Sequence, residues 1–193
     1  MAIFTHRTSN IEYEYQQGPK QETVVLFHPH PLYEGTMMNK VITTSCMAAK
    51  QLGYGFLRFN LTGVGQSSGH FGFGLYESEQ AIAIMAGLIH EPIKYLVGFS
   101  FGCNVIQYVW RSQQNKIPGL WIGASINQGF STDAELELVK AMIHGKEDKL
   151  CLYGDALEFS KEKNIPLYGI DEADHFFNGQ QIALREKVKE VLI

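Results

Sequence analysis

The sequence has few cysteines, little excess charge and no cluster of basic residues. Its three cysteines, Cys46, Cys103 and Cys151, form no Cys-x-x-Cys pair. Their number and spacing favour neither a disulfide framework nor a zinc knuckle, and they fit a reducing compartment. The 16 basic and 20 acidic residues give a formal net charge of -4. Because no run of Lys and Arg could follow a phosphate backbone, we expect no nucleic-acid partner.

Long apolar segments are also missing. No stretch is long enough to span a bilayer, and residues 1–17 lack the apolar centre of a signal peptide. We therefore expect no membrane partner and a cytoplasmic location. The chain has no internal repeat and no Pro- or Ser-rich linker, while its 45% hydrophobic content is enough for one continuous core. The sequence predicts a single domain over residues 1–193.

Short apolar runs alternate with helical patterns along the chain. The runs are typical of strands covered on both faces, and they span residues 23–27, 55–61, 95–99, 120–126, 141–143 and 166–170. The helical patterns span residues 39–52, 75–89, 101–113, 156–163 and 180–192. This alternation predicts an α/β fold with a mostly parallel, doubly wound sheet. Residues 11–15 alternate apolar and acidic side chains, which predicts an antiparallel strand at the N-terminal edge.

A Gly-x-Ser-x-Gly motif lies between a predicted strand and a predicted helix. It consists of Gly98, Ser100 and Gly102. A serine on so sharp a turn has a strained backbone, and the glycines avoid collisions with it. The amide groups at the start of the helix can stabilise an oxyanion, so we expect Ser100 to be a nucleophile and the N–H of Phe101 an oxyanion donor.

A serine nucleophile needs an imidazole base and a carboxylate that orients it. Where a nucleophilic serine lies on a turn of this type, the order along the chain is serine, then acid, then histidine. His175 lies late in the chain, in a loop after a predicted strand, and so fits the position of the base. Asp148 follows the predicted strand 141–143 and is the preferred acid, with Glu147 as the next choice. The other aspartates between Ser100 and His175 are Asp133, Asp155, Asp171 and Asp174.

The loop after the first buried strand reads His28-Pro29-His30-Pro31-Leu32. In proteins where a nucleophilic serine lies on such a strand-to-helix turn, this loop supplies the second oxyanion N–H. Proline has no N–H, so the donor must be His30, Leu32 or a later residue, and we favour Leu32. His28 and His30 are expected to support the site.

The histidines could also be interpreted as metal ligands. His28, His30 and His175 would then hold zinc, but an adjacent carboxylate ligand is missing and the serine motif would be unexplained. We expect neither a metal nor another cofactor.

Several segments of the sequence together resemble one protein family. From Val24 to near the C-terminus, the sequence resembles the compact, cap-less bacterial α/β-hydrolases of the dienelactone-hydrolase-like and small-esterase group. The matching segments are residues 28–32, 57–67, 98–102, 144–148 and 174–177. The resemblance implies an eight-stranded α/β-hydrolase fold and catalytic roles for Ser100, Asp148 and His175. The sequence departs from the family where His28-Pro29 replaces the usual His-Gly, which changes the geometry of the oxyanion donor.

The interval 126–139, where hydrolases often carry a cap, is too short for one. An open site favours small or exposed ester-like substrates, and Tyr33, Phe73, Phe130 and Phe176 are candidates for a partial apolar rim.

The predicted function is a serine hydrolase that cleaves a small ester or thioester through an acyl-enzyme on Ser100. Two alternatives stay open, namely a peptidase-like or lactone hydrolase with the same triad and a non-catalytic binding protein on a hydrolase fold. The sequence specifies no oligomeric state.

Overall fold

The computed structural model describes residues 1–7, 9–112, 116–126 and 135–193. They form one eight-stranded sheet and five α-helices. The strands are β1 (Ala2–His6), β2 (Ser9–Gln16), β3 (Thr23–Phe27), β4 (Gly55–Phe59), β5 (Ile93–Phe99), β6 (Gly119–Ile122), β7 (Val139–Gly145) and β8 (Leu167–Ile170). The helices are α1 (Lys40–Gln51), α2 (Leu75–Leu88), α3 (Phe101–Ser112), α4 (Tyr153–Lys163) and α5 (Gln181–Leu192).

The strand order is β1-β2-β4-β3-β5-β6-β7-β8. The pairs β1/β2 and β2/β4 are antiparallel, and the other pairs are parallel. The chain moves outward from β3 to β4 and then crosses back to β5 on the other side of β3. In open α/β sheets this reversal opens a crevice at the carboxyl ends of the strands. By this rule, the strand order puts the switch point between the carboxyl ends of β3 and β5.

Helices cover both faces of the sheet, so both faces of the central strands are apolar. In β3, Val25 and Phe27 pack in one core with residues of α2, α3 and α4, while Val24 and Leu26 pack in the other core with α1 and α5. Because side chains alternate along a strand, a strand between two such cores reads as a continuous apolar run. This is why the buried strands could be predicted from the sequence.

The predicted fold class is confirmed, with differences in detail. The edge strand is β1, and β2 lies second in the sheet, because five further residues pair with β2 on its open side. Strand β6 ends at Ile122, since Gly123 has a φ of +52° and leads the chain away from the sheet. Helix α4 begins at Tyr153, so Asp155 lies inside its first turn.

The residues that the structure describes include no cap domain over the sheet. Within the same residues, no helix has the length and apolar character needed to cross a bilayer. Asp133 and Phe130 lie outside the described residues.

A buried histidine fixes the loop that follows β3. His28 is fully buried, and its Nδ1 lies 2.7 Å from the carbonyl oxygen of Pro29 while its Nε2 accepts the N–H of Leu61 at 2.9 Å. These partners define a neutral ring with the proton on Nδ1. Burial lowers the pKa of His28 to about 4, since a charged ring would lose its hydration there.

This histidine should make the protein less stable in mild acid. Its pKa falls from 6.5 to about 4 on folding, so its contribution to stability is complete above pH 6.5 and is lost as the pH falls towards 4. We expect the free energy of unfolding in urea to fall by up to about 1.4 kcal/mol per pH unit across this window because of His28. In His28→Gln, which keeps an acceptor for Leu61, this part of the pH dependence should disappear.

The exposed His90 supplies the matched control His90→Gln, whose free energy of unfolding should follow that of the wild-type protein. Equal pH dependence in His28→Gln and the wild-type protein would contradict the prediction.

Candidate active site

Ser100 occupies the turn between β5 and α3. Its φ of +52° lies in the left-handed region, which a serine adopts only when its surroundings hold it there. The N–H of Ser100 donates to the carbonyl oxygen of Ile122 at 2.9 Å, and the carbonyl oxygen of Ser100 accepts from the N–H of Cys103 at 3.0 Å. The turn is therefore held by the neighbouring strand on one side and by the helix on the other.

The two glycines of the motif are required by close backbone contacts. A Cβ atom on Gly98 would lie 2.7 Å from the backbone nitrogen of Cys103. On Gly102 it would lie 2.2 Å from the carbonyl oxygen of Phe27, at the end of β3. Both distances are too short for any side chain. The start of α3 thus packs directly against the end of β3 and the loop that follows it.

His175 and Asp148 form a buried hydrogen-bonded pair at the same edge of the sheet. His175 Nδ1 lies 2.7 Å from Asp148 Oδ2, and both residues are at most 5% exposed. Asp148 follows β7 and His175 follows β8, and these neighbouring parallel strands end side by side. Because Nδ1 of His175 is paired with Asp148, Nε2 is the ring nitrogen that Asp148 does not contact.

Asp148 stays ionised despite its burial. Burial alone would raise its pKa, but hydrogen bonds from His144, His175 and the N–H of Cys151 outweigh this and hold the pKa well below its usual range. The second carboxylate oxygen, Oδ1, accepts the N–H groups of Leu150 and Cys151 at 2.9 and 2.8 Å. A buried, ionised carboxylate can orient an imidazole and stabilise its protonated form.

The ring of His175 lies beside the segment that holds Ser100. Its centroid is 5.0 Å from the ring centroid of Phe99, the residue before Ser100. Its Nδ1 and Cε1 lie 3.5 and 3.4 Å from the position that a Cβ on Gly123 would take. Gly123 directly follows Ile122, the acceptor for the Ser100 N–H. The structure thus brings the predicted base to the strand end that carries the predicted nucleophile.

None of three other candidate acids, Asp171, Asp174 and Glu147, contacts His175 through a hydrogen bond in the described residues. Asp171 is exposed and forms an ion pair with Lys146 at 2.6 Å. Asp174 accepts the N–H groups of Phe176 and Asn178, and so shapes the turn around His175. Glu147 is exposed. Among these acids, only Asp148 has a hydrogen bond to His175 in the described residues.

Sequence reasoning assigned no role to His144, which the structure places against Asp148. His144 is fully buried, and its Nε2 lies 2.6 Å from the carbonyl oxygen of Cys151 and 3.3 Å from Asp148 Oδ2. Both neighbours are acceptors, so Nε2 carries the proton, and Nδ1 has no hydrogen-bond partner among the described residues. The signal in the sequence is a histidine at the end of a buried strand, four residues before Asp148.

The loop after β3 does not support Leu32 as an oxyanion donor. Residues Pro31–Tyr33 form one 3₁₀ turn, and this turn directs the N–H of Leu32 to Nδ1 of His30 at 3.2 Å. Partial burial lowers the pKa of His30, opposed by the charge of Glu77, so Nδ1 is free to accept. The N–H of His30 itself has no acceptor within the described part of the chain. The N–H of Phe101 is the first in α3, and the first N–H groups of a helix have no intrahelical acceptor.

The donor atoms of Asp148, Cys151 and His175 lie within 4.8 Å of one another, which is close enough for a metal site. The carboxylate and the imidazole are already bonded to each other, however, and burial raises the pKa of Cys151 to about 11. A neutral thiol is a poor ligand. His28 and His30 do not belong to this group, and both ring nitrogens of His28 have other partners.

No family model matches the chain. An uncharacterized protein of Rickettsia prowazekii is 28% identical over 191 residues, covering 91% of this chain and 80% of that protein. An α/β serine hydrolase homologue from Coxiella burnetii superposes with a TM-score of 0.85 at 25% identity, covering 100% of this chain and 96% of the other. An α/β serine hydrolase without a lid from Xanthomonas campestris gives 0.82 at 23% identity, with 95% and 87% covered. These likenesses and the strand order agree, and the chain has the α/β-hydrolase superfamily fold.

Proposed function

We propose that the protein is a serine hydrolase that cleaves a small ester or thioester through an acyl-enzyme on Ser100. The observation that carries the proposal is the buried hydrogen bond from His175 to the ionised Asp148, beside the strained turn that bears Ser100. A bond of this kind fixes the tautomer of an imidazole so that Nε2 can accept a proton.

In the first half of the reaction, Ser100 Oγ attacks the carbonyl carbon of the substrate while His175 Nε2 takes the hydroxyl proton. The carbonyl π electrons move to oxygen, and the N–H groups of Phe101 and His30 stabilise the resulting oxyanion. When the tetrahedral intermediate collapses, the bond to the alcohol or thiol breaks and His175 returns the proton to the leaving group. An ester then links the acyl group to Ser100.

In the second half, water attacks the acyl-enzyme and His175 Nε2 takes one of its protons. Collapse of the second intermediate releases the carboxylic acid and returns the proton to Ser100. Asp148 keeps its negative charge throughout and stabilises the imidazolium in both halves. None of these steps needs a cofactor. The cytoplasmic location stays a prediction from the sequence.

The same residues could serve a peptidase-like or lactone hydrolase, since the triad sets the class of bond and the surrounding surface sets the substrate. A binding protein on this fold would not react with a probe that labels activated serines. A fluorophosphonate, which labels an activated serine, therefore separates the enzymes from the binding protein.

Ser100→Ala should abolish hydrolysis of 4-nitrophenyl acetate and labelling by a fluorophosphonate, because the nucleophilic oxygen is gone. We expect a loss on the order of 10³-fold or more in kcat, with the circular dichroism spectrum unchanged. The control Ser112→Ala, on the exposed end of α3, should keep both activities. Turnover by Ser100→Ala within about tenfold of the wild-type protein would refute the assignment of the nucleophile.

Asp148→Asn tests the acid while it keeps the shape of the side chain. The amide should favour the wrong tautomer of His175 and no longer stabilise the imidazolium, with a loss on the order of 10³ to 10⁴ in kcat. Glu147→Gln removes the neighbouring charge and should leave kcat nearly unchanged. An active Asp148→Asn beside an inactive Glu147→Gln would show that the acid is wrong, although Ser100 and His175 could still stand.

His144 acts in this proposal as a positioning residue for Asp148. His144→Leu removes an N–H that lies between the carbonyl oxygen of Cys151, 2.6 Å from Nε2, and Asp148 Oδ2, 3.3 Å from Nε2. A full hydrogen bond to a charged group is worth about 1.5 to 3 kcal/mol. We expect kcat to fall roughly tenfold or more. The less compensated carboxylate should also favour the imidazolium of His175, so the acid limb of kcat/KM against pH should move to higher pH.

The variant His144→Gln keeps an N–H donor at about the same reach and should recover most of the activity. A purely structural role would lower the amount of active protein without moving the acid limb. An unmoved limb in His144→Leu would therefore contradict the positioning role.

A further inference from the structure

Five aromatic rings form a cluster at the carboxyl edge of the sheet. We call the rings of His30, Tyr33, Phe71, Phe73 and Phe101 the aromatic cluster. The ring of His30 lies 4.8 Å from Phe101, 4.6 Å from Phe71 and 4.9 Å from Tyr33, measured between centroids. Phe71 lies 4.7 Å from Phe73 and 5.4 Å from Phe101. These distances are typical of interacting aromatic pairs.

The cluster extends from the nucleophile to the surface. At its inner end Phe101 is 8% exposed and directly follows Ser100. At its outer end Tyr33 and Phe73 are 80% and 78% exposed, and Leu32 beside them is 68% exposed. A single exposed apolar residue needs no explanation, but a contiguous apolar surface that begins beside a reactive group is a candidate for ligand binding.

The backbone at Phe73 has a conformation that is unfavourable for phenylalanine. Its φ is +54°, in the left-handed region, where glycine and asparagine are tolerated and a bulky residue is an outlier. Buried Glu77 enforces this conformation by accepting the N–H groups of Gly72 and Gly74, both at 2.8 Å. Glu77 also accepts the hydroxyl of Thr62 at 2.5 Å.

Neither burial nor backbone preference therefore accounts for a phenylalanine at position 73. The ring is 78% exposed although it contacts Phe71, and the backbone is strained. Asparagine would tolerate the same backbone without exposing an apolar ring. Strain and exposed apolar surface that coincide beside a reactive group are typical of a position selected for binding.

We propose that the aromatic cluster binds an aryl group of the substrate, packed against Phe73 and Tyr33 while the ester carbonyl lies at Ser100. The proposal rests on the proposed function and names its substrate class, namely esters with one aromatic ring. Packing of a substrate ring on these two rings should favour such esters over acetate esters of aliphatic alcohols by about tenfold in kcat/KM.

The test compares three esters that differ in where the ring lies. Ethyl acetate has none, ethyl phenylacetate carries it on the acyl side, and benzyl acetate carries it on the alcohol side. Acid release is measured with the wild-type protein, Phe73→Asn and Tyr33→Ala. Asparagine tolerates the left-handed backbone, so Phe73→Asn should keep or raise the melting temperature. A folding defect is thereby separated from a binding defect.

We expect Phe73→Asn to lower kcat/KM about tenfold for one aromatic ester and less than twofold for ethyl acetate. The ester that loses rate identifies the side on which the ring binds. Tyr33→Ala should act on the same ester. The control Tyr76→Ala removes a half-exposed ring outside the aromatic cluster and should leave the ratio of rates unchanged.

Suppose that the wild-type protein hydrolyses ethyl acetate, and that the ratio of kcat/KM for each aromatic ester to kcat/KM for ethyl acetate is the same in all variants. The aryl site is then refuted and the serine hydrolase stands. If no ester is hydrolysed and no fluorophosphonate label appears, the proposed function fails. Calorimetry with phenylacetate, benzyl alcohol and acetate then decides the aryl site by itself. Binding of an aromatic ligand that Phe73→Asn weakens would support it, and the absence of such binding would overturn it.

Discussion

Direct backbone contact between α3 and the end of β3 fixes the geometry of the carboxyl edge. A Cβ on Gly102 would lie 2.2 Å from the carbonyl oxygen of Phe27, so the helix can approach only because it has glycine there. That approach brings the N–H of Phe101 beside the loop after β3. The buried ring of His28 then holds the same loop to the residues after β4. The turn at Ser100 and the loop after β3 are therefore positioned by backbone packing.

The buried pair of Asp148 and His175 is assembled by a similar contact on the neighbouring strands. A Cβ on Gly145 would lie 2.3 Å from the carbonyl oxygen of Ala173, so the loops after β7 and β8 pack backbone to backbone. The N–H of Glu147 donates to the same carbonyl at 2.9 Å. With both loops fixed, the backbone holds Asp148 and His175 within reach of their 2.7 Å hydrogen bond. Under the proposed mechanism, such preorganisation reduces the reorganisation needed when charge develops on the imidazole.

The sequence predicted most of the fold because its core strands lie between two apolar layers. It also placed Asp148 and His175 in the loops where the structure hydrogen-bonds them, while their catalytic roles stay predictions. The sequence favoured Leu32 over His30 as the oxyanion donor. The structure favours His30, because a single 3₁₀ turn, which the sequence does not specify, redirects the N–H of Leu32. The contact of His144 with Asp148 was not predicted either, because a histidine at a strand end, four residues before Asp148, does not by itself specify which side chain it contacts.

Several strained residues lie in the loops at the same edge of the sheet as Ser100. Glu34, Phe73, Ser100 and Phe177 all have φ values between +52° and +60°, and each lies in a loop that follows a strand at the carboxyl edge. Each such residue costs of the order of 1 to 3 kcal/mol and persists only where its surroundings enforce it. The two apolar cores supply that rigidity, since packed interiors resist the relaxation that would relieve a strained turn. The fold can therefore hold Ser100 and Phe73 in conformations that an isolated loop would abandon.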